Sequence, residues 1–288
     1  MFDKFINRLE ITGTLITLTA MRIGSSKSSE PIGTDLPVMK DALGRPIIPG
    51  SSFKGALRSR LESFLRAIND QYARDPSTYE DENEQIKALK KQYLENAKDD
   101  AGFTRAILSN PKLTDPISCV FGSPWFAGKF QMRDLSVFPE AWFGQYQERN
   151  GVAIDRDTET ASGGKLYDFQ VVPADTPFQF QAVIENATNW ELGLLMIGLS
   201  QFEQGQIPLG GGRSRGLGVV ELTITSMRWY DMRRPETEEP DPGKVLAYLQ
   251  QLTNPSQTAG EDITDNTELK NDWVNALITR LNPSPRSR

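Results

Sequence analysis

The 288-residue chain is 24% charged and 38% hydrophobic, with a formal net charge of −6, which fits a globular protein of one large domain or two small ones. Histidine is absent and Cys119 is the single cysteine. That excludes an internal disulfide framework, a cysteine-based zinc cluster, every Ser-His or Cys-His nucleophile and the usual general base. A metal here has to be a hard cation held by carboxylates and other oxygens. No apolar run approaches the ~20 residues that span a bilayer, and MFDKFINRLEIT lacks the regions of a signal peptide, so a cytoplasmic protein is expected. The charge is uneven. Residues 40–66 hold six bases (Lys40, Arg45, Lys54, Arg58, Arg60, Arg66) against two acids (Asp41, Glu62), whereas 69–101 and the stretch from 231 onward are acidic. Distribution matters more than the sum for anion binding, so a nucleic-acid role survives the negative total.

In chain order, Leu9, Ile11 and Leu15 alternate along NRLEITGTLITL and predict a strand. The loop GSSKSSEPIGTDLPVMKDALG and the short entry PIIPG follow. SSFKGALRSRLESFLRAI carries Phe53, Leu57, Leu61, Phe64 and Leu65 at helical spacing, with Ser51 or Ser52 placed to cap it. Residues 69–116 change character: YEDENEQIKALKKQYLENAKDD is charged and helix-prone and reads as a helical insertion. Strands are expected again in CVFGSPW, GKFQMRDLSVF and TPFQFQAVIE. Between the last two, the alternation around Ser162, Gly163 and Gly164 predicts a protruding β-hairpin over about 149–175. Thr188 and Glu191 form a capping box for the helix NWELGLLMIGLSQF. The strand GVVELTIT then sets Val220, Leu222 and Ile224 opposite Glu221, Thr223 and Thr225. The expected class is α+β, with strands and helices in the order of a ferredoxin-like or RNA-recognition-motif-like core over 1–230. Residues 231–288 form a linker and a helical extension, whose last helix brings Leu269, Trp273, Val274, Leu277, Ile278 and Leu281 to one face.

Three segments carry candidate chemistry. GSSFKGAL has the glycine spacing of an NTPase phosphate loop, but Ala56 and Leu57 stand where Lys and Ser/Thr belong. Lys54 in the first turn of a helix opposes the macrodipole, and Arg58 one turn on repels it. An anion held by the helix N–H groups, Ser51, Ser52, Lys54 and Arg58 relieves both tensions, and a solvated basic face is the plain alternative. LGGGRSRGLG (209–218) fails the dinucleotide fingerprint, because no glycine follows at 213–215 and a strand, not a helix, comes next. Gly210, Gly211 and Gly212 permit close backbone approach, and Arg213, Ser214 and Arg215 suit phosphate; a hydrated turn is the other reading. Asp35, in the non-periodic loop PIGTDLPVMKD, is either a turn residue or one of the few groups able to bind Mg²⁺ or Mn²⁺. Asp41 reads as a turn aspartate.

Together these segments resemble one family. LPVMKDALGRPIIPGSSFKGALRSRLE, CVFGSPWFAGKFQMRDLSVF, GVAIDRDTETASGGKLYDFQVVPADTPFQF and LGGGRSRGLGVVEL are similar, in this order, to signatures of the CRISPR-associated RAMP superfamily. More narrowly, they resemble the repeated backbone subunit of type III (Csm/Cmr-like) effector complexes. The resemblance spans most of 5–228 and leaves out 69–116 and the tail, which points to a divergent variant, III-D-like. It implies a modified RNA-recognition-motif fold that binds guide CRISPR RNA, stacks with other subunits and uses a thumb hairpin, including Ile154, Asp155, Arg156 and Thr158, to displace target nucleotides. It implies that Asp35, with Mg²⁺ or Mn²⁺, serves cleavage of complementary single-stranded target RNA, and that Ser51, Ser52, Lys54, Arg58 and Gly210–Arg215 contact the guide. A purely structural guide-binding subunit is the alternative. A guide-maturing nuclease fits less well, since such enzymes commonly rely on histidine.

Overall fold

An antiparallel five-stranded sheet carries the molecule, backed by helices. The computed structural model describes residues 4–24, 36–74, 84–110, 112–154, 161–237, 239–253 and 260–282. Its elements are β1 (Asn7–Thr17), β2 (Ile47–Ile48), α1 (Gly50–Ile68), α2 (Glu84–Leu89), α3 (Asp100–Leu108), α4 (Pro116–Phe121), β3 (Gly122–Ser123), β4 (Phe126–Ala127), β5 (Phe130–Met132) and β6 (Leu135–Ser136). The second half adds β7 (Gln147–Ile154), β8 (Ala161–Val171), β9 (Pro177–Glu185), α5 (Asn189–Glu203), β10 (Val220–Asp231), α6 (Pro242–Leu252), β11 (Glu261–Asp262) and α7 (Thr267–Leu281). The sheet order is β11-β10-β1-β9-β5, an α+β architecture. Among the described residues no helix is long and apolar enough to cross a membrane.

The alternation in β1 does what its period dictates: Leu9, Ile11 and Leu15 are fully buried, each contributing about 1.5–3 kcal/mol. One edge of β1 pairs with β10, from Asn7↔Asp231 to Thr17↔Val220, and the other with β9, from Arg8↔Glu185 to Ile16↔Pro177. A bulge beside Gly13 lets the Thr223 carbonyl approach where a Cβ would overlap it. The bulge also turns Ile224, expected to be buried, to a half-buried position. Helices α1 and α5 cover the apolar face. Phe53 stacks on Phe202 with ring centroids 4.0 Å apart and leans on Phe180 at 5.2 Å. Four of the five stripe residues of α1 are buried, and Phe64 lies half-exposed beneath the Arg60 guanidinium. α7 packs on α5 through Trp273, Leu277 and Leu281, whereas Ile278, expected on the same face, is exposed. Six residues describe an arc wider than one helix contact covers.

Three local expectations need correction. Neither Ser51 nor Ser52 caps α1: the helix begins at Gly50 after an extended Pro49. Asp134 supplies the missing acceptor, taking the Gly50 N–H at 2.8 Å. CVFGSPW is not a strand throughout, since Cys119–Phe121 complete α4. Asp115 caps that helix by accepting the Ser118 N–H, and Pro116 occupies its first position, a start signal of the preferred kind. Ser162, Gly163 and Gly164 lie inside β8, so the hairpin reverses before them. β7 and β8 run antiparallel from Gln147↔Val171 to Ile154↔Ala161 as a separate two-stranded sheet, joined through 155–160, which fall outside the described residues. Glycine lacks a Cβ and accepts an extended strand as readily as a turn.

The capping box on α5 forms as its spacing predicts, with the Thr188 N–H donating to Glu191 Oε2 at 2.7 Å. The same buried carboxylate receives Lys129 Nζ at 2.6 Å, which ties α5 to the start of β5. The insertion has its own small apolar core of Ile86, Phe103, Ile107 and Leu113, closed by Phe126 of β4.

Candidate nucleic-acid interface

In the loop at 209–218, Gly212 and Gly216, at φ +76° and +80°, bracket a single tight turn of Arg213–Arg215. Two other glycines are there for contact. A Cβ on Gly210 would overlap the Arg22 carbonyl oxygen, and one on Gly218 would overlap that of Leu209. The Gly211 N–H donates to Arg22 O at 2.8 Å and the Gly218 N–H to Ala20 O at 2.9 Å. The segment after β1 thus holds the loop from below. Leu209 and Leu217 are buried beneath, and Arg213, Ser214 and Arg215 face outward.

The base of the hairpin meets the same segment. Met21 pairs with Val172, and Leu36 is pinned to β8, its N–H donating to Asp168 O at 3.2 Å and its carbonyl accepting from the Gln170 N–H at 3.1 Å. The Arg22 guanidinium lies 5.7 Å from the centre of the Phe169 ring, and its buried Nε has no hydrogen-bond partner among the described residues. Arg215 Nη1 donates to the Tyr167 hydroxyl at 3.3 Å. The glycine loop, Arg22, the hairpin base and Leu36 therefore converge. Asp35 precedes Leu36 in sequence but lies outside the described residues, as do Asp155, Arg156 and Thr158; the backbone of Ile154 ends β7.

The start of α1 is differently arranged. Ser51 is exposed and Ser52 half-buried. Lys54 Nζ donates to Phe130 O at 2.9 Å, and burial, with Arg58 adding to it, lowers the Lys54 pKa. Arg58 turns back along its own helix: Nε donates to Glu62 Oε1 at 2.8 Å and Nη1 to Gly122 O at 3.2 Å, while Nη2 is buried without a partner. Glu62 also takes Arg66 Nη2 at 3.1 Å. Carbonyls and Glu62 thus supply the negative partners that the sequence assigned to a bound anion. The spacing of Arg58, Glu62 and Arg66, four apart, was the available signal. The remaining bases of 40–66 are also engaged. Lys40 lies 4.3 Å from the centre of the Tyr146 ring, Arg45 pairs with Asp41 at 2.8 Å, and Arg60 bonds Gln201.

Asp41 is the turn aspartate its context predicts, accepting the N–H groups of Leu43 and Arg45. The backbone bond from Arg45, with its side chain, holds the Asp41 carboxyl below the usual range. Burial pushes the Cys119 thiol up to about 11, which removes it as a nucleophile near neutral pH. Among the described residues no three His, Cys, Asp or Glu side chains are grouped to hold a metal. Arg22, Tyr167, Phe169 and Asp134 are the members that sequence reasoning missed. Only Arg22, a lone base between a strand end and a glycine, left any trace.

A family model described as the RAMP superfamily matches residues 14–221. The chain is 26% identical over 223 residues, 77% of its own length and 92% of the relative's, to a CRISPR system Cms endoribonuclease Csm3 of Enterococcus italicus. It is 28% identical over 207 residues, 70% of the chain and 81% of the relative, to the protein of that name from Streptococcus thermophilus. Identity reaches 42% over 72 residues, 24% of the chain and 30% of the relative, with its namesake from Mycobacterium tuberculosis. The family match stops short of α6, β11 and α7.

Proposed function

The chain belongs to the RAMP superfamily, and on that premise we propose that it is a guide-RNA-binding backbone subunit of a type III CRISPR interference complex that cleaves complementary single-stranded target RNA. The observation that carries this reading is the convergence of the glycine loop, Arg22 and the hairpin base on Leu36, the residue next to Asp35. Relatives named as endoribonucleases, aligned over most of their length, support the reaction class. The strand order β10-β1-β9-β5, with a helix after β1 and another after β9, supports reading the core as ferredoxin-like, of the modified RNA-recognition-motif kind.

In this reading Gly210, Gly211, Gly212, Arg213, Ser214 and Arg215 cradle the guide backbone, where exposed N–H groups and guanidiniums suit phosphate. Ser51 and Ser52 add hydroxyls at the start of α1. Lys54 gives one ammonium proton to Phe130 and keeps two for phosphate, and Arg58, whose guanidinium is turned to Glu62 and Gly122 O, adds positive charge behind it. Base pairing supplies sequence specificity, so the protein needs only backbone contacts.

Cleavage follows from splaying one target nucleotide at the hairpin. Its ribose 2′-hydroxyl gives up its proton as the oxygen attacks the adjacent phosphorus, and the 5′-oxygen leaves and takes a proton, giving a cyclic phosphate and a 5′-hydroxyl; water can then open the ring to a 3′-phosphate. Alignment alone lowers such a barrier by several kcal/mol. With no three-carboxylate cage among the described residues, a Mg²⁺ or Mn²⁺ ion would be held by Asp35 and RNA oxygens, a donor set Mg²⁺ commonly takes. Bound there, it would offset the charge developing on phosphate. Asp35 itself orients the 2′-hydroxyl. The test is target cleavage by the assembled complex with Mg²⁺ or Mn²⁺, wild type against Asp35→Ala. Loss of cuts with target binding retained is expected. An unchanged cut pattern makes the chain a structural guide-binding subunit alone.

A further inference from the structure

The hairpin and the glycine loop are joined at two levels. At the lower level Ala20, Val171 and Leu217 form a small apolar cluster with Phe169 packed against it, which fixes the root of β8. The upper level is Tyr167, four residues along the strand and therefore about 13 Å from Val171 at ~3.3 Å per residue. Tyr167 pairs in register with Gly151 of β7, and its ring lies so close over that glycine that a Cβ there would overlap it. Seated in this way, the ring holds its hydroxyl out to accept Arg215 Nη1 at 3.3 Å.

A two-stranded hairpin held at its root, here by the apolar cluster and by Leu36 at Asp168 and Gln170, still twists about that root, and a side-chain anchor to the glycine loop limits the twist. We infer that Tyr167 is a positioning residue that latches the hairpin to the glycine loop through Arg215, so that the reach of the hairpin over the duplex is set from a loop whose own grip on guide phosphate does not need the latch. Gly151 is the seat that makes the latch possible. The inference rests on the guide-binding and nucleotide-displacing role proposed above, and it gives Tyr167 and Gly151 a part that role did not assign to them.

Tyr167→Phe keeps the ring and its seat and deletes the hydroxyl. The assembled complex is loaded with guide and with target RNA carrying 2-aminopurine at successive positions, whose fluorescence rises where a base is unstacked; guide affinity is measured in parallel. Wild type is expected to show a bright position for each hairpin. Tyr167→Phe should hold guide affinity within about twofold while unstacking at those positions falls roughly three- to tenfold, the scale of one hydrogen bond. Gly151→Ala, which displaces the ring, should reproduce the fall. Unstacking identical to wild type in Tyr167→Phe overturns the latch and leaves the guide-binding role standing. Equal losses of guide binding and unstacking reduce Tyr167 to a fold element and overturn the latch as well. Absence of any bright position in wild type overturns the displacing role and the latch together.

Discussion

Helix α1 and the loop at 209–218 both bring arginines toward the same proposed ligand, in opposite circumstances. On α1, Arg58 and Arg66 share the buried Glu62, and Lys54 rests on a backbone carbonyl. In the loop, Arg213 and Arg215 are exposed, each with one hydrogen bond to a neighbour, Gly210 O and the Tyr167 hydroxyl. Charge written along α1 therefore serves mainly to hold that helix against α4 and β5, and charge in the loop stays available to an incoming anion. The two basic stretches differ because on the helix one acid, Glu62, lies four residues from Arg58 and four from Arg66, and in the loop Arg213 and Arg215 stand exposed on a turn bracketed by Gly212 and Gly216.

The comparison breaks or sharpens on three substitutions and one control. Gly218→Ala has the largest expected effect. The new Cβ meets the Leu209 carbonyl at φ +83°, so a loss on the order of 3 kcal/mol in urea unfolding is expected, with loss of guide binding. Gly211→Ala is its control: the nearest atom to a Cβ there is 3.7 Å away, and stability should hold within about 0.5 kcal/mol. Glu62→Gln comes next. It leaves two partly buried guanidiniums without their carboxylate, a loss of about 3 kcal/mol, and guide affinity should fall only in step with the folded fraction. A fall in affinity at unchanged stability would mean that Glu62 sets how the start of α1 meets the guide. Arg213→Ala is the smallest: stability within about 0.5 kcal/mol, and a salt slope of guide binding reduced by about 1. An unchanged slope removes Arg213 from the phosphate contacts.

Much of the core was legible because its periods are strong. Leu9, Ile11 and Leu15, the α1 stripe and the Thr188–Glu191 box each follow from spacing within one element. The α4 start at Asp115 and Pro116 was local and legible; the failure at the start of α1 depended on a residue distant in sequence. Asp134 caps α1 from 84 residues away, so Ser51 and Ser52 drew the assignment by proximity. The hairpin turn was placed on glycines that instead lie within β8. At the interface the glycine loop announced itself by composition, while Arg22, Tyr167 and Phe169 did not. Their roles arise from the meeting of a segment after β1 with a strand some 145 residues later, which no local pattern encodes.

The place of β1 between β9 and β10 has a consequence for how the protein is made. The ribosome delivers the central strand first and its two partners last. At about 5–20 residues per second, the roughly 160 residues separating β1 from β9 take about 8 to 32 s to emerge. Throughout that interval an apolar strand with both edges open sits on the nascent chain, the circumstance in which pairing with a neighbouring chain competes with folding. Arg22 and Ala20 likewise wait for Gly211 and Gly218 before their carbonyls have anything to hold. A chain broken off before the glycine loop leaves both carbonyls without their donors.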